Sequence, residues 1–155
     1  MLKQVFSDKN IIIKQGEISR IPFEDNYFDC VFITEVLEHL TYDDLYSGLQ
    51  EIRRVLKPYG KFVITVPYKE QLQKIICPDC SAIFVPSQHM RSFDENSMIL
   101  LLSQAGFRIK FCKLMPKIPL TGNLFKDLVK KILAKLNKVA MQFMYGSIFV
   151  TIAEK

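Results

Sequence analysis

A chain of 155 residues, 49% hydrophobic and 24% charged, has the length and composition of one ordinary globular domain, which excludes a disordered or low-complexity chain. No apolar run approaches the roughly 18 residues of a membrane span, and Met1 to Val5 lack the apolar core of a secretory signal, so a cytoplasmic location is expected. The net charge of +5 is concentrated: Lys113 to Lys138 holds seven lysines against Asp127 alone, leaving the remainder close to neutral, so no nucleic-acid partner is expected.

The first apolar run, Asn10-Ile11-Ile12-Ile13, stops at Lys14-Gln15-Gly16-Glu17 and predicts a short strand over 10–14. Phe28 to Ile33 is nearly continuous apolar sequence and predicts a strand buried on both faces, as in parallel sheets. Thr41 with Asp44 resembles a capping box, and Leu45, Leu49, Ile52 and Leu56 recur at helical spacing until Lys57-Pro58-Tyr59-Gly60. Phe62 to Val66 predicts a second buried strand, ended by Pro67. A long connection over 68–91 carries Cys77-Pro78-Asp79-Cys80 and His89. Ser92 with Glu95 predicts a second capping box, opening a helix that Gly106 closes. Strands follow at Phe107–Cys112 and Ser147–Ala153. Between them, about 114–145, lies a basic amphipathic helical insertion, its helix running from about Asn123 to Tyr145. Strands alternating with helices make an α/β layer fold, with 1–155 as a single domain.

Four stretches carry a resemblance. Ile21-Pro22-Phe23-Glu24-Asp25-Asn26-Tyr27-Phe28-Asp29-Cys30-Val31 precedes Glu35-Val36-Leu37-Glu38-His39-Leu40. Arg54-Val55-Leu56-Lys57-Pro58-Tyr59-Gly60-Lys61-Phe62-Val63-Ile64-Thr65-Val66-Pro67 follows, and then Ala105-Gly106-Phe107. In this order they resemble class I S-adenosylmethionine-dependent methyltransferases of the type 11 group, over roughly 10–112 and 146–155. The resemblance implies a Rossmann-like sheet with flanking helices and a C-terminal antiparallel hairpin. It implies methyl transfer from S-adenosylmethionine to a small-molecule or lipid-like acceptor.

The family's glycine-rich cofactor loop lets backbone amides approach the ligand closely. Here the glycines stand at 16, 48, 60, 106, 122 and 146, no two within ten residues. The sheet is therefore expected to be incomplete, an N-terminally truncated form of the family's domain. The strand at 28–33 becomes an edge, self-association follows, and S-adenosylmethionine binds weakly or not at all. The alternative reading is a non-catalytic binding module, or a truncated paralogue or fragment that pairs with another chain.

Within the resemblance, Glu17 matches the acid beside the adenine amino group and Ile18 the apolar neighbour of the ring. Both are also what an ordinary strand-end turn would carry. Thr34 and Glu35 stand at the carboxyl end of the central strand, where open α/β sheets bind ligands, and are read as cofactor-binding. His39 and Glu38 are the candidate acid/base groups, against the alternative of a histidine that anchors the next helix. Cys77, Cys80 and His89 form a partial zinc knuckle. The favoured alternative is a metal-free loop whose His89 reaches the active site, so no metal ligand is assigned. Cys30 and Cys112 read as core thiols. The lysines at 126, 130, 131, 135 and 138 oppose an apolar stripe, which fits either a lid on the domain or a peripheral membrane contact over Lys126–Lys138.

Overall fold

The computed structural model describes residues 11–116 and 147–155. The basic helix and its lysines from Lys126 to Lys138 lie outside the described residues. Strand β1 (Phe28–Thr34) leads through a 3-10 turn (Leu37–His39) into helix α1 (Tyr42–Val55). Strand β2 (Leu56–Pro67) follows directly. A two-stranded hairpin, β3 (Ile75–Ile76) with β4 (Ile83–Phe84), interrupts the long connection to helix α2 (Glu95–Gln104). Strands β5 (Arg108–Pro116) and β6 (Ser147–Glu154) complete the order.

The main sheet runs β1-β2-β6-β5. β1 and β2 are parallel, with Val31 opposite Phe62 and Thr34 opposite Thr65. β6 is antiparallel to both β2 and β5. This is the α/β, Rossmann-like arrangement with a closing antiparallel hairpin. One cluster forms the core: Leu45, Leu49 and Ile52 of α1 and Met98 and Leu102 of α2, packed with alternate residues of the sheet. Phe62, Ile64 and Val66 of β2 are fully buried, while Val63 and Thr65 between them are only partly covered.

Local chemistry explains the element ends. The Asp44 backbone N–H donates to Thr41 Oγ1 at 3.2 Å, and the hydroxyl donates to Asp44 Oδ2 at 2.7 Å, capping α1 as the sequence predicts. Helix α2 closes at Gly106, whose φ is +83°. The Phe107 N–H reaches Leu102 O at 2.9 Å and the Gly106 N–H reaches Ser103 O at 3.0 Å, the paired bonds of a left-handed C-terminal stop.

Three expectations are corrected. Residues 11–16 form no strand, and Ile11, Ile12 and Ile13 are exposed; among the described residues no strand lies beyond β1 to pair their backbone. β1 is not buried on both faces: no residue of it is fully buried, and Phe32 is 68% exposed, because β1 is the end strand of the described sheet. The capping box of α2 is Asp94 with Ser97 rather than Ser92 with Glu95. Asp94 Oδ1 accepts from the Ser97 N–H and Ser97 Oγ from the Asp94 N–H, both at 2.9 Å. Glu95 instead receives the Tyr68 hydroxyl at 2.9 Å. Among the described residues no helix is long and apolar enough to cross a membrane.

Candidate active site

The carboxyl end of β1 is held against β2. The Glu35 N–H donates to Thr65 O at 2.9 Å, and Thr65 Oγ1 donates to Glu35 Oε1 at 3.2 Å. Glu35 has φ +54°, a conformation uncommon for a residue with a side chain and one that gathers at functional turns. The turn that follows drives Leu37 into the core with no exposed surface. Anchored this way, the next two residues diverge: Glu38 is buried and His39 is exposed.

The long connection returns to this point. The Met90 N–H donates to Glu38 O at 2.8 Å, and the Lys69 N–H to Phe93 O at 2.8 Å. These bonds bring His89 beside His39, the two rings meeting edge to face with centroids 4.5 Å apart. His89 Nδ1 pairs with Glu70 Oε2, and His39 Nδ1 lies 3.3 Å from Gln88 O. Glu38 is 1% exposed, and among the described residues neither of its carboxylate oxygens has a hydrogen-bond partner. Burial, reinforced by Glu35, pushes its carboxyl above the usual range, with its own backbone N–H, His39 and His89 pulling the other way.

The sequence-derived site residues are thus divided. Glu38 and His39 stand together, and Thr34 and Glu35 occupy the carboxyl end of β1 as expected. Glu17 is exposed and lines a groove of about 1100 Å³ with Lys14, Arg20, Tyr27 and Arg54. Ile18 leaves that groove and packs against α1 beneath Gly48, where an added Cβ would stand 2.9 Å from Ile18 Cγ1. The groove's walls are fixed by Arg54, which donates to Ile21 O at 3.0 Å, Phe23 O at 2.9 Å and Asp25 Oδ1 at 2.7 Å while paired with Glu51. Tyr27 and Arg54, which line the groove, adjoin the amino end of β1. The groups suited to proton or ion chemistry are at the other end.

The zinc grouping of Cys77, Cys80 and His89 does not form: His89 is engaged with Glu70 and His39, away from the thiols. Cys77 and Cys80 sit in the turn of the β3–β4 hairpin, where the backbone N–H groups of Cys80 and Asp79 lower the Cys77 thiol. Cys112 is partly buried against Thr151, and burial raises its thiol. Sequence reading missed Glu70. Its signal was position: an acid three residues past Pro67, just outside the carboxyl end of a parallel strand.

The model of the methyltransferase domain matches residues 1–64. Over that stretch the chain is similar to the class I S-adenosylmethionine-dependent methyltransferases, and its fold is theirs. An uncharacterized protein of Methanocaldococcus jannaschii is 32% identical over 132 residues, covering 83% of this chain and 57% of its own. The ubiquinone/menaquinone biosynthesis C-methyltransferase UbiE of Cupriavidus metallidurans is 46% identical over 48 residues, 31% of this chain and 19% of that protein. The chain therefore spans little more than half of the first relative and a fifth of the second. Among solved structures, the Burkholderia thailandensis 1,6-didemethyltoxoflavin-N1-methyltransferase, with 1,6-didemethyltoxoflavin and S-adenosylhomocysteine bound, superposes with a TM-score of 0.59 at 19% identity. That match covers 89% of this chain and 48% of the enzyme's. At that identity it establishes the fold.

Proposed function

We propose that this methyltransferase chain transfers a methyl group from S-adenosylmethionine to a small-molecule or lipid-like acceptor, held at the carboxyl ends of β1 and β2. The observation that carries this reading is the left-handed turn at Glu35, fixed to β2 through Thr65 and leading straight into Glu38 and His39. Such a junction holds polar side chains at the strand ends where α/β sheets take ligands. Relatives acting in quinone biosynthesis and on a small heterocycle support an acceptor of this size.

The residues present fit the cofactor in part. Glu17 offers an exposed carboxylate able to accept from an adenine amino group, and Thr34 and Glu35 offer polar contacts for a methionine portion. The dispersed glycines provide no close backbone cradle. The cofactor, when bound, supplies a methyl carbon on a sulfonium centre. The chain's own task is to orient the acceptor in line with it. The exposed His39 ring stands where the acceptor's proton would leave, and Glu38 adds negative potential beneath it.

Isothermal titration with S-adenosylmethionine tests the reading. Saturable binding weaker than about 10 μM, or about −7 kcal/mol, is expected, and Glu35→Ala should weaken it several-fold. Absence of saturable binding, or binding indifferent to Glu35→Ala, would overturn the placement. Affinity tighter than about 10 μM would overturn the role given to the glycine-rich cradle.

A further inference from the structure

The Glu38 cluster has a property that methyl transfer alone does not require. A carboxylate 1% exposed, with both oxygens unpartnered among the described residues, faces two imidazoles. Among the described residues, the charged groups that act on it are Glu35, His39 and His89. Burying an unpaired carboxylate is costly, and buried charges are normally paired or metal-bound.

We propose that Glu38, His39 and His89 form a binding site for one divalent transition-metal ion of the zinc type. One donor atom from each lies within 4.8 Å of the others. A triangle with 4.8 Å edges has its centre about 2.8 Å from each corner. Zinc bonds of about 2.1 Å therefore require each donor to move inward by about 0.7 Å, within the reach of side-chain rotation.

The surrounding contacts suit ligation. His89 Nδ1 is taken by Glu70 and His39 Nδ1 faces Gln88 O, so each ring has Nε2 left to bind an ion. A metal-binding histidine typically donates its other nitrogen to a carboxylate or a carbonyl, which fixes the ring and strengthens the ligand. Both arrangements are present here, one on each ring. Two imidazoles and one carboxylate make a three-ligand set that leaves coordination open toward solvent and substrate. With an ion bound, His39 serves as a ligand rather than a free base. An ion held there would lower the pKa of a hydroxyl coordinated to it, and an acceptor's proton would then pass to solvent.

The site is independent of the Cys77–Cys80 hairpin and of cofactor binding, so its test needs neither. The chelator-treated full chain is titrated with Co²⁺, followed by absorption, and with Zn²⁺, followed by the histidine ring resonances in NMR. The chain has two histidines, so the readout is two ring signals. We expect one equivalent to bind and both ring signals to shift. His39→Ala or His89→Ala should weaken binding at least about 10-fold, and Glu70→Gln, which would touch no ion, by about 10-fold. The double variant Cys77→Ser, Cys80→Ser should bind as the parent does. If neither ring signal shifts, or if the cysteine double variant abolishes binding, the proposal is wrong. His39 is exposed, so its replacement leaves the core intact; circular dichroism confirms folding. Unchanged binding by a folded His39→Ala would also overturn the site.

Discussion

Replacing Leu37 by alanine tests whether the Glu38–His39 turn is positioned by the core or by its own hydrogen bonds. Leu37 has no exposed surface and belongs to the main core cluster. The turn itself has little to hold it: Val36 makes no side-chain cap, and the bonds within it are His39 N–H to Val36 O at 3.0 Å and Leu40 N–H to Leu37 O at 3.4 Å. Removing three carbons forfeits about 2.4 kcal/mol at about 0.8 kcal/mol per buried methylene. A cavity that fails to collapse raises the loss toward about 5 kcal/mol. In a domain whose total stability is of the order of 5–15 kcal/mol, that is a large fraction. Urea denaturation should show the midpoint falling with the slope unchanged. Leu102→Ala, equally buried on α2, supplies the comparison: it should cost a similar amount. The two variants should differ at the turn. The His39 and His89 ring signals should move in Leu37→Ala and stay in place in Leu102→Ala. A loss below about 1 kcal/mol, or ring signals that respond equally to both variants, would refute the anchoring argument.

Two further outcomes follow from local contacts. Glu154 is 5% exposed and faces Lys61, Arg108 and Lys110, with the bonds from Lys61 and Arg108 lowering its carboxyl to about 2. A depressed carboxylate stabilises the fold above its unfolded pKa, and that contribution disappears as pH falls through the folded value. The stability difference between the parent and Glu154→Gln should therefore be constant near neutrality and shrink from about pH 5 toward pH 2, read by urea midpoints; a difference that grows on acidification would contradict the pairing. For α2, Asp94→Ala should lower the thermal midpoint measurably while Ser92→Ala leaves it in place, and the reverse ranking would return the cap to Ser92.

The readable parts of this fold are those set by near neighbours. Thr41 and Asp44 are three residues apart and cap each other, and Leu45, Leu49 and Ile52 share one face because the helix repeats every 3.6 residues. Gly106 ends α2 because the left-handed conformation there favours a residue without a side chain. The misread parts depend on what is distant. Ser92 and Asp94 both head a plausible box, and the choice falls to Asp94 because Glu95 is drawn off by Tyr68, twenty-seven residues away. The Ile11–Ile13 run has strand composition, but strand formation needs a partner. His89 was legible as a chemically loaded residue beside a Cys-x-x-Cys motif. Its destination depends on the bond from Met90 N–H to Glu38 O, which no spacing rule encodes.

That same bond makes Glu38 and His89 one structural unit rather than two neighbouring residues. The backbone of Glu38 receives the loop, the loop delivers His89, and the side chain of Glu38 is left buried against the rings with no hydrogen-bond partner among the described residues. A sequence under pressure only for stability would replace such a carboxylate with an apolar or amide side chain, since an unpaired buried charge is among the costlier features a core can contain. Leu37 on one side and the Met90 contact on the other hold the carboxylate in place, although glutamate is among the residues least often fully buried. Proteins tolerate local violations of this kind where function requires them. The carboxyl end of β1 combines a left-handed Glu35, a buried Glu38 and two oriented imidazoles within five consecutive residues and one returning loop. In the groove beside Arg54, by contrast, the Arg54 guanidinium is already paired with Glu51 and Asp25. Unsatisfied bonding capacity, more than cavity size, is what favours the carboxyl end of β1 as the site proposed for this chain.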